Sequence, residues 1–235
     1  MPLDLPRVRA LCFDVDGTLS DSDDVYARRF CGWIRRIPFV RNPQSLARRL
    51  VMGLESPGSA MMSLGDAMGL DTYVVPLIDW MHRRWPLSRM ETLVIPGVVD
   101  MLPRLKRHYP LAVISARNEQ TTMSFLEDCH LLANFDVVLT ALSARHTKPY
   151  PDPIRLAART MGVQPEACLM IGDTPVDIRA GKSAGAQTIG LLCGFGEEAE
   201  LRRAGADLIL PTTADVERVL LGYQDWALSA VPIAG

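Results

Sequence analysis

From about residue 93 onward the chain alternates short apolar runs with amphipathic ones. Leu111–Ile114, Val137–Leu139, Cys168–Ile171, Thr188–Leu192 and Leu208–Leu210 are brief and almost wholly apolar. That is the pattern of strands covered on both faces. Between them, Val98–His108, Glu119–Cys129, Pro153–Met161, Pro175–Ala184 and Thr213–Leu221 space their apolar residues as helices do. An earlier run, Val8–Phe13, broken only by Arg9, reads as a strand of the same sheet. Such alternation predicts a parallel sheet with helices on both faces. Ligands of open α/β sheets bind beyond the carboxyl ends of the strands. Asp14, Ser115, Lys148 and Asp173 each fall at or shortly after such an end.

Residues 21–91 break the alternation. They hold helix-like segments and few strand signals, punctuated by Pro38, Gly53, Pro57, Gly69 and Pro86. Asn42-Pro43 has the form of an N-cap followed by proline at the first helical position. The reading is a core built from residues 1–20 and 92–235, with a small helical domain of residues 21–91 inserted after the first strand. An insertion at that point is placed to act as a cap over the site.

Composition narrows the class. A chain of 235 residues holds a full core and a smaller second domain. A net charge of −2 lacks the basic footprint of a nucleic-acid binder. Lys106, Lys148 and Lys182 are the only lysines beside 22 arginines, which makes each lysine's position more telling. The five cysteines (Cys12, Cys31, Cys129, Cys168, Cys193) are odd in number, widely spaced and without a C-x-x-C pair. They read as thiols of a reduced, cytoplasmic protein. The N-terminus lacks the basic-then-apolar pattern of a signal peptide. No apolar stretch approaches the roughly 20 residues of a membrane span. The expected partner is a small molecule rather than nucleic acid or membrane, bound by a monomer or homodimer.

The chemistry gathers in four segments. In Phe13-Asp14-Val15-Asp16-Gly17-Thr18 two carboxylates two residues apart follow a strand and precede a glycine turn. Continued extension would place Asp14 and Asp16 on one face. Like charges that close need a cation or a proton between them. Val113-Ile114-Ser115-Ala116-Arg117 is a strand ending in a hydroxyl, Thr147-Lys148-Pro149 brings an ammonium, and Gly172-Asp173-Thr174-Pro175-Val176-Asp177 adds two more acids. Each has an ordinary reading alone: an acidic turn, a strand-end turn former, a surface lysine, a turn after a strand. A calcium loop does not fit, because Gly17 comes too early and no Glu closes the motif. The four together, in order and each after a strand, point to a site. None of the four histidines has ligand spacing, and His146, two residues before Lys148, is the one placed near the site.

With these motifs, over about residues 7–222, the chain resembles the haloacid dehalogenase superfamily, in its phosphoglycolate phosphatase-like branch with a helical cap. The match from Lys148-Pro149 through Asp173 and Asp177 to Ala180-Gly181 and Ala184-Gly185-Ala186 is particularly close. The resemblance implies an α/β, Rossmann-like core and a Mg²⁺-dependent phosphatase acting on a small phosphomonoester metabolite. Asp14 would be the nucleophile that forms an aspartyl phosphate. Asp16 would protonate the leaving oxygen and then deprotonate the hydrolytic water. Mg²⁺, a hard ion, would be held by Asp14, the backbone carbonyl of Asp16 and Asp173, with Asp177 one layer out. Ser115 and the backbone N–H groups of Ala116 and Gly17 would bind the phosphoryl oxygens, and Lys148 would neutralise charge and restrain Asp14.

Neighbouring branches fit less well. Asp16 favours a phosphoryl substrate over a carbon–halogen bond, since the dehalogenase branch lacks this residue. Residues 21–91 contain no lysine, which speaks against the Schiff-base chemistry of the phosphonate-hydrolysing branch. A sugar phosphomutase of the beta-phosphoglucomutase type shares the core motifs and stands as the second reading. A non-catalytic binding protein is the third. Ser115-Ala116 and Arg117 stand where many relatives have Thr-Asn and a lysine, a change expected to bear on substrate preference.

Overall fold

The computed structural model describes residues 3–21 and 94–229, with side chains as far as Gly222. They fall in one compact unit, Met1–Asp21 with Thr92–Gly235. The expected helical insertion at 21–91 therefore lies outside the described residues, save Asp21, as does Cys31.

Six strands form a single parallel sheet: β1 (Ala10–Phe13), β2 (Leu111–Ile114), β3 (Val137–Leu139), β4 (Cys168–Gly172), β5 (Gln187–Leu191) and β6 (Leu208–Leu210). Their spatial order is β3-β2-β1-β4-β5-β6, so the chain winds outward from β1 in one direction and then in the other. The reversal leaves a crevice at the carboxyl ends of β1 and its neighbours. Six helices accompany the strands: α1 (Val98–Lys106), α2 (Glu119–Asp128), α3 (Asp152–Thr160), α4 (Pro175–Ala184), α5 (Glu198–Ala204) and α6 (Asp215–Ser229).

Register explains the two cores. Leu11 pairs with Leu111 on one side and Leu169 on the other, and Phe13 with Val113 and Ile171. These side chains share one face and pack against Met101, Leu102 and Leu105 of α1, Phe125 and Leu126 of α2, and Val216 and Leu220 of α6. The opposite face carries Ala10, Cys12, Ala112, Cys168 and Met170 under Ile154, Ala157 and Ala158 of α3 and Ala180 and Ala184 of α4. It is made largely of small residues, so helix and sheet approach closely. A Cβ on Gly181 would stand 2.6 Å from Thr188 Cγ2 and 3.0 Å from Met170 Cβ. The larger face supplies most of the driving force, at about 1.5–3 kcal/mol for each fully buried Leu, Ile or Phe.

The helix ends follow local chemistry. Asn118 caps α2 by accepting from Thr121 N. In α4, Thr174 precedes Pro175 at the first turn, and Gly185 ends the helix with a φ of 84° that favours glycine. Two expectations shift. Strand β1 begins at Ala10 rather than Val8, because Leu5–Arg7 form a 3₁₀ turn closed by Val8 N on Leu5 O. Helix α5 was not expected; it has seven residues and buries only Leu201, a stripe too short to register as periodic.

Candidate active site

Three adjacent strands deliver three of the polar groups to one edge. Asp14 follows β1, and its N–H bonds Ile171 O at 3.0 Å, extending the ladder toward β4. Ser115 follows β2, anchored by its N–H on Leu139 O at 2.9 Å. Asp173 follows β4 and is fully buried. Lys148 enters from the loop between β3 and α3, and its Nζ lies 2.6 Å from both Asp14 Oδ1 and Asp177 Oδ1. The other oxygen of Asp177 accepts from Thr174 Oγ1 at 2.7 Å and Thr174 N at 3.1 Å. The N-cap of α4 thus aims this carboxylate at the lysine.

The chain does not stay extended past Asp14: it bends at Val15 and turns after Asp16. Thr18, Leu19 and Ser20 all direct their N–H groups at Val15 O, and Gly17 has a φ of 69°. Asp16 turns instead to Arg117, whose Nε donates to Oδ2 at 2.8 Å and whose Nη2 donates to Oδ1. Each carboxylate of the opening pair has its own cation. The Gly17 N–H, expected to bind phosphate, donates to Ser20 O at 2.9 Å. In this structure Gly17 is committed within its own turn, and its value to the site is its missing side chain.

That value concerns Asp173. A Cβ on Gly17 would stand 2.3 Å from Asp173 Oδ2, and one on Gly194 2.1 Å from the same atom. A Cβ on Gly196 would stand 1.9 Å from the Asp173 carbonyl oxygen. Phe195 N donates to Asp173 Oδ2 at 2.7 Å, and Thr18 Oγ1 lies 3.4 Å from Oδ1. The Gly194-Phe195-Gly196 loop after β5 is therefore part of the site, and sequence reasoning missed it. The available signal was its place: two glycines just beyond a strand end, on the edge that carries the acids.

Electrostatics mark the centre. Burial pushes the Asp14 carboxyl up; Lys148 pulls it down, Asp177 and Asp16 push it further up, and the balance is about 7. Burial opposes the charge on Lys148, but Asp14 and Asp177 outweigh it and hold the ammonium above its ordinary range. Among the described residues, Asp14, Asp173 and Asp177 offer ligand atoms within 4.8 Å of one another. Three buried carboxylates, two of them bonded to one ammonium, leave negative charge that a hard, oxygen-seeking cation fits.

The remaining expectations are quickly placed. Ala116 is exposed at the end of β2. His146 is exposed, sits 3.2 Å from Asp152 Oδ1 and lies beside the Tyr150 ring. Cys12 and Cys168 are buried free thiols of β1 and β4. No described helix is long and apolar enough to cross a membrane.

Comparison with known proteins agrees with this arrangement. The model of the haloacid dehalogenase-like hydrolase family matches residues 11–191. A protein of Dickeya dadantii described as a probable phosphatase is 30% identical over 207 residues, 87% of this chain and 90% of that protein. The phosphoglycolate phosphatase of Escherichia coli is 26% identical, covering 89% of this chain and 91% of its own length. A hydrolase from Pseudomonas syringae of known structure superposes with a TM-score of 0.69 at 26% identity, over 93% of this chain and 98% of that one. A family match running from β1 to β5, with relatives aligned along nearly their full length, goes beyond likeness of fold: the chain belongs to the haloacid dehalogenase-like hydrolases.

Proposed function

We propose that this protein is a Mg²⁺-dependent phosphatase that hydrolyses a small phosphomonoester, of the phosphoglycolate kind, through an aspartyl phosphate on Asp14. The observation that carries the reading is the buried Asp14–Lys148–Asp177 contact beside Asp173, set at the carboxyl end of the sheet. The phosphatases among its relatives support the reaction class.

Asp14 attacks phosphorus, and Lys148 holds its carboxylate by Oδ1 so that the other oxygen is presented in one orientation. The Ser115 Oγ accepts from Arg117 N at 3.0 Å, which leaves its own proton to donate to a phosphoryl oxygen. The Ala116 N–H is the second donor at this strand end. Asp16 gives a proton to the leaving oxygen, then takes one from the water that cleaves the acyl phosphate. Asp14, Asp173 and the Asp16 carbonyl would hold Mg²⁺, with Asp177 supporting them. When bound, the ion neutralises phosphoryl charge as it shifts between oxygens.

The test is phosphate release from p-nitrophenyl phosphate and from a panel including phosphoglycolate, sugar phosphates and nucleotides. Activity is expected with MgCl₂, and is lost in EDTA and in Asp14→Asn. Isomerisation of a sugar phosphate outpacing its hydrolysis would move the assignment to a mutase. A panel with no turnover in the presence of Mg²⁺ would leave a binding protein.

A further inference from the structure

Arg117 stands out because it touches two different parts of the site with two different groups. Its backbone N–H donates to Ser115 Oγ at 3.0 Å. Its guanidinium makes a two-point pairing with Asp16, Nε to Oδ2 at 2.8 Å and Nη2 to Oδ1. The same guanidinium carbon lies 5.5 Å from the centre of the Phe125 ring on α2. The ring backs the cation and the carboxylate meets its edge, so the planar group is held at one face and one edge. Both side chains are largely buried, with 21% of Arg117 and 22% of Asp16 exposed.

We infer that Arg117 is a positioning residue for Asp16, fixing the direction in which that carboxylate exchanges protons. The inference rests on the role given to Asp16 above. A carboxylate on a loop has two soft torsions, and proton transfer at a reacting oxygen needs it within hydrogen-bond reach on one side. A two-point pairing with a planar cation removes rotation about the terminal torsion; a lysine, a point charge, does not. Arg117 is also covalently tied to the Ser115-Ala116 phosphate-binding segment. One residue therefore registers the proton-transferring group against the bound phosphoryl group.

The inference predicts a dependence on the leaving group. Expulsion of an alkoxide needs proton donation, whereas p-nitrophenolate leaves with little help. Steady-state kinetics with Mg²⁺ are compared on p-nitrophenyl phosphate and phosphoglycolate for wild type, Arg117→Ala, Arg117→Lys, Asp16→Asn and the double variant Asp16→Asn/Arg117→Ala. Arg117→Ala is expected to lower kcat on phosphoglycolate by about 10²-fold, the lower end of a general acid–base contribution, with KM nearly unchanged. Its loss in kcat/KM, which reports the leaving-group step without the shared hydrolysis of the intermediate, is expected to be several-fold smaller on p-nitrophenyl phosphate than on phosphoglycolate. Arg117→Lys recovers only part of the loss. The double variant is no slower than Asp16→Asn within about twofold, the signature of two residues acting as one unit. Equal losses of kcat/KM on both esters, a rise in KM with kcat intact, or additive losses in the double variant would overturn the inference while leaving the phosphatase reading in place. A wild type that turns over neither ester, with Mg²⁺ present and the fold intact by circular dichroism, would overturn both.

Discussion

Gly194 backs directly onto Asp173: a Cβ added to the glycine would stand 2.1 Å from Asp173 Oδ2 and 2.5 Å from its Cγ. Asp173 has no room to retreat, being fully buried and bonded at the same oxygen to Phe195 N. A loop after β5 thereby sets the orientation of a carboxylate after β4.

Gly194→Ala is therefore expected to rotate Asp173 out of place. The prediction is a fall of about tenfold or more in Mg²⁺ affinity, the usual scale for losing support around a metal ligand, read by calorimetric titration. Gly222→Ala, where nothing lies within 4 Å of the added methyl, leaves the titration unchanged.

Replacing Lys148 with methionine removes the ammonium that faces Asp14 and Asp177, all three side chains being at most a tenth exposed. Breaking a buried pair in this way costs about 3 kcal/mol, measured by urea denaturation without Mg²⁺. Turnover falls by about 10²-fold or more, as expected for losing a preorganised charge at the phosphoryl group. An unaltered denaturation midpoint would show that the two carboxylates do not need this cation.

Mg²⁺ should stabilise the fold by mass action, by about 2.7 kcal/mol at a concentration a hundredfold above its Kd. Thermal unfolding in MgCl₂ and in EDTA reads this directly. Asp173→Asn is expected to abolish most of the difference, and a full shift in that variant would place the ion elsewhere.

Asp207 offers a pH test remote from the chemistry. Burial pushes its carboxyl up, but hydrogen bonds from Lys182 Nζ, Thr188 N and Thr188 Oγ1 outweigh this and hold it below the ordinary value of 3.8. A depressed folded value means the stabilisation is complete above 3.8 and disappears as pH falls through the lower folded value. Asp207→Asn should be less stable than wild type at neutral pH, with the gap closing as acid is added. A gap that persists in strong acid would assign the loss to packing instead.

Much of this arrangement was legible because it is local. Each strand is a short apolar run, and Asp14, Ser115 and Asp173 follow such runs at the same edge, so sequence order alone predicts their meeting. Lys148 was readable because lysines are scarce in this chain. Three features were not. The Asp16–Arg117 pairing depends on how the turn after Val15 rotates, which alternation along a strand does not specify. The packing of Gly194 and Gly196 on Asp173 joins positions beyond the ends of two strands with no pattern linking them. The commitment of the Gly17 N–H to Ser20 follows from a turn closed by backbone alone, which side-chain identities do not specify.

Ser20 bridges Asp16 on one side and Val94 on the other, in parallel and antiparallel sense. The chain thus departs from the core and comes back to it as two backbone neighbours. Closure entropy grows only slowly with the length of such an excursion. Ser20 is thus a hinge point shared by departure and return, and an alteration there is felt one residue pair away, at Asp16.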